Sequence, residues 1–130
     1  MKKIVSAPAR PKAHYNNAVI TEGRLLFIAT QPSIDWKTGE FIDGDIYLQT
    51  QKALENVVYF LKKAGATLDD VVKTGIFLAD INDFDAMNDV YNRFFPNPET
   101  APVRFTLQTP FPDKRIKVEF EAIAALPYQN

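Results

Sequence analysis

Two stretches near the C-terminal end carry residue types that could do chemistry. Apolar and polar residues alternate in Pro102-Val103-Arg104-Phe105-Thr106-Leu107-Gln108 and again from Ile116 to Ala124, which reads IKVEFEAIA. A period of two is that of a half-buried strand. It groups Val103, Phe105 and Leu107 on one face of the first strand, and Arg104, Thr106 and Gln108 on the other. In the second strand Ile116, Val118, Phe120 and Ala122 point one way, and Lys117, Glu119 and Glu121 the other. The connection Thr109-Pro110-Phe111-Pro112-Asp113-Lys114-Arg115 favours a turn, and so an antiparallel pair of these two strands. With both apolar faces turned to the core, Arg104 would oppose Glu119 or Glu121 on a shared polar face, because a one-residue slip would bury the charges. Two readings of that pairing stand side by side. A cross-strand ion pair on a solvated face would stabilise by roughly 0.2–1 kcal/mol. A guanidinium aimed away from the protein would instead grip a ligand's carboxylate or phosphate.

Composition removes other chemistries. The chain has 130 residues and no cysteine, so disulfides, thiolate catalysis and cysteine-ligated zinc are excluded. His14 is the single histidine. A Ser-His-Asp triad would have to use it, and a multi-histidine metal site cannot form within one chain. The net charge is −1, with no block of like charge, which argues against a nucleic-acid binder. The apolar Ile4-Val5 after Lys2-Lys3 is far too short for a secretory signal. No apolar run approaches the about 20 residues of a membrane span. With 46% hydrophobic and 24% charged residues, the expectation is a soluble, cytoplasmic protein with one domain over residues 1–130.

The elements that must position Arg104 and the carboxylates follow from periodicity. Lys3 to Ser6 suits a short strand, and Ala7 to Lys12, with Pro8 and Pro11, an extended loop. Asn17 to Ile20 and Arg24 to Ala29 read as strands, joined by a tight hairpin turn at Glu22-Gly23. The second is apolar on both sides, which predicts a central strand. Pro32 to Asp45 is turn-rich. Asp45 to Ala64 reads as a helix, with Asp45 as N-cap, Leu48, Leu54, Val57, Val58 and Leu61 as its apolar stripe, and Gly65 just past its end. Val71 to Ala79 is a second interior strand, in which Gly75 marks a bulge or a close backbone approach. Asn82-Asp83 caps a second helix from Phe84 to about Phe95, stopped by Pro96-Asn97-Pro98. Phe84, Met87, Val90, Tyr91 and Phe94 form its buried side. The order β-β-β-α-β-α-β-β gives an α+β fold with both helices on one sheet face. The opposite face, expected to bear Arg104, must meet water or another subunit, which suggests an oligomer with sites between subunits.

At this point a resemblance enters. Tyr15-Asn16-Asn17-Ala18-Val19, Gln31-Pro32, Asp35-Trp36-Lys37-Thr38-Gly39-Glu40, Gln51 to Gly65, Asp70-Val71-Val72-Lys73, Ile81-Asn82-Asp83-Phe84, Asn88, Tyr91, Phe94-Phe95, Pro102-Val103-Arg104 and Val118-Glu119-Phe120-Glu121-Ala122 together resemble the RidA (YjgF-like) family, in order and over nearly the whole chain. The resemblance implies a mixed six-stranded sheet with two helices on one face, similar to the chorismate-mutase barrel, in a homotrimer with inter-subunit clefts. It implies hydrolysis of 2-imino acids, formed from enamines such as 2-aminoacrylate, to 2-keto acids and ammonia. The implied role is control of metabolite damage, with no cofactor and no metal. In that setting Arg104 would hold the substrate carboxylate. Glu119 would orient or deprotonate the attacking water, or pass a proton to the departing nitrogen. By the same resemblance Tyr15 lines the cleft and Asn88 lies near it. The plainer readings are a packed tyrosine with a wet hydroxyl and a polar residue on a helix's outer face.

The chain departs from the family around the cleft. Ala29-Thr30-Gln31 stands where Ser-Gly-Gln is usual, so Thr30 adds a side chain to the substrate-binding site. Phe105-Thr106 stands where small residues and a cysteine are usual. Phe105 is expected to face the core, and Thr106 to keep a hydroxyl at the site. Ala13-His14 replaces Gly-Pro; His14 reads as an exposed loop histidine, with acid–base work as the alternative. Imine hydrolysis is thus the leading expectation. The alternative is a non-catalytic, keto-acid-binding or regulatory protein of the same shape. RNA cleavage is a third reading, which the charge balance does not favour.

Overall fold

In the computed structural model, residues 2–127 are described. Helix α1 (Ile46–Lys63) begins where Asp45 accepts the Leu48 N–H at 2.9 Å. It ends where Gly65, at φ +78°, lets the chain turn back. Ala66 N–H then donates to Leu61 O at 2.8 Å and Gly65 N–H to Lys62 O at 3.0 Å, a glycine-closed helix end. Leu54, Val57 and Leu61 are buried as the stripe predicts, and Ala53 with them, but Val58 is only half-buried and Leu48 is 43% exposed and folds over Gly44. Polar residues are buried on this face too. Gln49 donates to Gly44 O and Arg115 O, both at 3.0 Å, and accepts Lys117 N–H at 2.9 Å. Helix α2 (Phe84–Phe94) buries Met87, Val90 and Tyr91. A single 3-10 turn, Ile81–Asp83, precedes it, and the capping side chain is Asp80, which accepts Asn82 N–H at 2.9 Å. Among the described residues no helix is long and apolar enough to cross a membrane.

The strands are β1 (Lys2–Val5), β2 (Ala18–Thr21), β3 (Leu25–Gln31), β4 (Ile34–Asp35), β5 (Glu40–Phe41), β6 (Val71–Leu78), β7 (Val103–Gln108) and β8 (Val118–Ala125). The main sheet has four of them, in the order β3-β8-β6-β7, with β8 antiparallel to both neighbours and β6 parallel to β7. This mixed sheet and two helices make the expected α+β fold, but three expectations change. First, the six strands do not share one sheet: β1 and β2 pair separately, as do β4 and β5. Glu22-Gly23 therefore bends the chain without closing a hairpin, because β2 already has β1 as its partner. Second, β3 is an edge strand, and Phe27 is 68% exposed on it. Third, β7 and β8 do not pair. The mostly buried β6 lies between them, reached from β7's side by the helical crossover that a parallel pair needs. The proline-bearing connection steps over the end of β6, where Thr109 N–H donates to Leu78 O at 2.9 Å and Ala79 N–H to Lys117 O at 3.0 Å.

Register then fixes the faces. Thr74 of β6 lies opposite Arg104 on one side and Ala122 on the other. Gly75 lies opposite Phe105 and Glu121. Directly opposed residues share a sheet face, so Arg104 sits on the helix-covered side with Ala122 and Phe120. Phe105 sits on the open side with Glu121. The expected facing of β7 is thus inverted. Alternation could not decide it, since both faces of this sheet offer β7 apolar neighbours. Phe105 packs edge-on against Phe77 at 5.5 Å, over the notch left by Gly75. A Cβ at Gly75 would stand 2.6 Å from Phe105 Cζ and 2.8 Å from Glu121 Cγ. Gly75 therefore marks a close approach; the irregularity in β6 lies instead between Val71 and Lys73.

Candidate functional site

On the helix side, Arg104 projects from β7 into a group of aromatic rings. Its guanidinium carbon lies 4.8 Å from the Tyr91 ring centre, 5.3 Å from Tyr15 and 5.8 Å from Phe84. Burial pulls its pKa below the ordinary arginine range, while Tyr91 and Tyr15 oppose that shift. Among the described residues no carboxylate forms an ion pair with it. Its Nη1 is buried without a hydrogen-bond partner, as are Asn88 Oδ1 and Asn92 Oδ1. Buried polar atoms of this kind cost about 1–3 kcal/mol each unless something pairs with them. Asn88 follows Phe84 by four residues and precedes Tyr91 by three, which puts all three on one side of α2. Thr106, opposite Ile76, shares Arg104's face two residues along β7.

The walls are held from beneath. Tyr91 is fully buried, and its hydroxyl lies 2.9 Å from Thr74 Oγ1. Burial pushes its pKa up to about 12, so it stays neutral in ordinary buffers. Tyr15 is placed by its neighbour Asn16, whose Nδ2 donates to Pro98 O at 2.8 Å and Ala101 O at 2.7 Å. Asn16 N–H also donates to Pro102 O at 3.0 Å. His14 is half-buried, not exposed: its Nδ1 donates to Phe95 O at 2.8 Å. Sequence reasoning assigned Tyr91 and Phe84 to the core alone and gave Asn16 and Thr74 no role. The signal for Tyr91 was its hydroxyl, which a buried tyrosine must satisfy.

Glu119 lies elsewhere. It opposes Phe77 on β6, which puts it on the open face, across the sheet from Arg104. The expected sharing of one face by Arg104 and Glu119 is thus overturned, because β6 separates their strands and β7 is inverted. Thr30 does reach Glu119. Between Ile28 and Gln31 the register advances three residues on β3 but two on β8, so β3 carries a bulge. Ile28 and Gln31 are both buried, and Ala29 and Thr30 are both exposed. The bulge turns Thr30 towards Glu119, the kind of re-aiming such irregularities perform. Burial raises the Glu119 pKa, and the hydrogen bond from Thr30 opposes that rise.

Within one chain there are therefore two groups. Tyr15, Asn88, Arg104 and Thr106 gather on the helix side near β7, at one sheet edge. Thr30 and Glu119 gather on the open side near β3, at the other edge. The first group can bind an anion, and the second can handle a proton or a water. An apolar groove of about 390 Å³ beside β3, lined by Leu26, Phe27, Ile28, Ala29, Gln31 and Phe60, reaches the bulge that carries Thr30. Among the described residues no three His, Cys, Asp or Glu side chains converge as metal ligands would.

Over residues 5–126 the chain matches the family model described as Endoribonuclease L-PSP. A RutC family protein of Pyrococcus horikoshii is 42% identical over 126 residues, covering 95% of this chain and 98% of that one. A 2-iminobutanoate/2-iminopropanoate deaminase of Capra hircus is 36% identical over 126 residues, covering 95% and 90%. Among solved structures, a protein of the conserved Rid family from Yersinia pestis superposes with a TM-score of 0.74 at 33% identity, covering 97% of this chain and 100% of that one.

Proposed function

The chain belongs to the RidA (YjgF-like) family, which the Endoribonuclease L-PSP model describes, and on that premise we propose that it hydrolyses 2-imino acids to 2-keto acids and ammonia. The observation that carries this reading is the Arg104 guanidinium, walled by aromatic rings and, among the described residues, in no ion pair with a carboxylate. Such a group suits the carboxylate of a small organic acid, gripped bidentately. The substrate's protonated imine carbon then needs only a positioned water, because imines are already reactive and require no covalent nucleophile. Glu119 takes a proton from that water as it adds to the imine carbon. It returns that proton to the nitrogen of the carbinolamine. As the C–N bond then breaks, the ionised Glu119 takes the remaining hydroxyl proton so that the carbonyl forms, and the proton leaves with ammonia as ammonium. General acid–base help of this kind is worth about 10²–10⁴-fold.

Because Arg104 and Glu119 face opposite sides of one sheet, the reading requires a second copy to supply Glu119 and Thr30 to each Arg104. The two groups lie towards opposite edges, β7 and β3, so the reading requires a head-to-tail contact, which a closed ring of copies satisfies. Leu25, Phe27 and Leu107, all exposed, suit burial between copies. A homotrimer with clefts between subunits, as the family resemblance implies, meets these requirements. Removal of reactive imines before they damage other proteins is the physiological role we assign.

The test is to generate 2-aminoacrylate with a serine dehydratase and follow keto-acid formation with and without the protein. Acceleration that is lost in Arg104→Ala is the expected result. Equal rates with and without the protein, or an unaffected Arg104→Ala variant, would refute the proposal. One observation favours a second reading, keto-acid binding without turnover: a single copy assembles the anion-gripping group complete on one sheet face, with Glu119 and Thr30 on the other. Tight pyruvate binding that depends on Arg104, with no imine turnover, would select it. RNA cleavage gains nothing from a net charge of −1. Steeply salt-dependent RNA binding would be needed to revive it.

A further inference from the structure

The bulge that aims Thr30 has a latch. Gln31, 4% exposed, reaches back two residues, and its Nε2 donates to Ala29 O at 2.9 Å. Its Oε1 accepts from Trp36 Nε1 at 2.8 Å. An indole nitrogen can only donate, so this bond fixes which end of the Gln31 amide is oxygen and leaves the NH₂ for Ala29. The Trp36 loop is itself tied to α1. The indole packs edge-on against Phe60 at 6.3 Å, and Asn56 Nδ2 donates to Pro32 O at 3.1 Å and Ile34 O at 2.8 Å. The clamped carbonyl belongs to Ala29, immediately before Thr30.

We propose that Trp36 and Gln31 are positioning residues for Glu119. The indole N–H orients the Gln31 amide, the amide holds the bulge shut, and the closed bulge presents the Thr30 hydroxyl to the carboxylate. This rests on the reading of Glu119 as the water-handling group. The charged residues on Glu119's face are Glu121 on its own strand, Lys117 two residues before it and Lys73 on β6; β3 and β7 present none there. The Thr30 hydroxyl is thus a neutral handle on the carboxylate, and its aim depends on a loop outside the main sheet.

The test uses full-length protein. Trp36→Phe keeps an aromatic ring but deletes the donor. Thr30→Val deletes the hydroxyl, and Thr30→Ser restores it. Glu119 titration is followed by carbon-13 carboxyl NMR, alongside imine turnover. Trp36→Phe and Thr30→Val are both expected to move the Glu119 midpoint upward, since each weakens a hydrogen bond to the ionised form. The double variant should move no further than Thr30→Val alone, and Thr30→Ser should stay with the parent. In turnover, kcat should fall by up to about 100-fold with KM held, because misplacement costs rate while Arg104 still grips the substrate. A parental midpoint and kcat in Trp36→Phe, or shifts that simply add in the double variant, would overturn the proposal. Midpoints that move as described in a protein with no imine turnover would uphold the latch and reject the functional reading.

Discussion

The Arg104 guanidinium is held by rings and, among the described residues, forms no ion pair with an acid, and that combination sets what substitution should do. Lysine keeps the charge but not the fork, so Arg104→Lys should rescue only part of the turnover lost in Arg104→Ala. The loss itself should be about 10–100-fold in kcat/KM, the worth of one charge-assisted bond at roughly 1.5–3 kcal/mol. Initial rates on enzymatically generated 2-aminoacrylate check both values. Tyr91 tests the support beneath Arg104. Tyr91→Phe leaves Thr74 Oγ1 without its partner and should destabilise the fold by about 1–3 kcal/mol at neutral pH. The difference shrinks in alkali. The tyrosine pKa is raised to about 12 in the folded chain from about 10 unfolded. Its contribution is therefore complete below pH 10 and lost as pH rises towards 12. Urea denaturation at pH 7 and pH 11 should find the gap between variant and parent smaller at the higher pH.

At the scale of elements, the sheet is locked by one missing side chain. Gly75 makes room for Phe105 and Glu121 on the open face. Gly75→Ala should destabilise by about 1–3 kcal/mol through overpacking. Adding Phe105→Leu should recover part of that loss, because the shorter side chain vacates the contact. Urea midpoints of the single and double variants decide it, and a double variant as weak as the sum of its singles would show that the two residues do not share the space. The helices are bolted down by polar side chains as well as apolar ones. Gln49 ties α1 to the strand connection at Arg115 and Lys117, so the elements bearing the two groups of site residues keep a defined relation.

At the scale of the molecule, the proposal makes neighbouring copies share each site. Arg104→Ala and Glu119→Gln variants should each be slow alone. Mixed and reassembled at equal concentration, they should regain about a quarter of the parent rate, because random head-to-tail neighbours match an intact Arg104 with an intact Glu119 in one contact of four. Light scattering on the same samples reports the number of copies. A monomer, or a mixture no faster than its parts, would remove the shared site.

Local order was written plainly in the sequence. The helix from Asp45 with its glycine stop, the aromatic side of α2, the alternation of β7 and β8 and the motifs of the RidA family all follow from short-range spacing. What tertiary structure alone decided was who neighbours whom. Alternation states that Arg104 and Phe105 face opposite ways, but not which way, when both sides of an edge strand can meet apolar partners. Nor does a proline-rich connection reveal that a third strand will slide between the two it joins. The bulge at Ala29-Thr30 is equally silent in sequence, since it exists only relative to the register of β8. These are long-range pairings, chosen by the burial of β6 and the fit of Phe105 over Gly75, and they set Arg104 and Glu119 on opposite faces of the sheet.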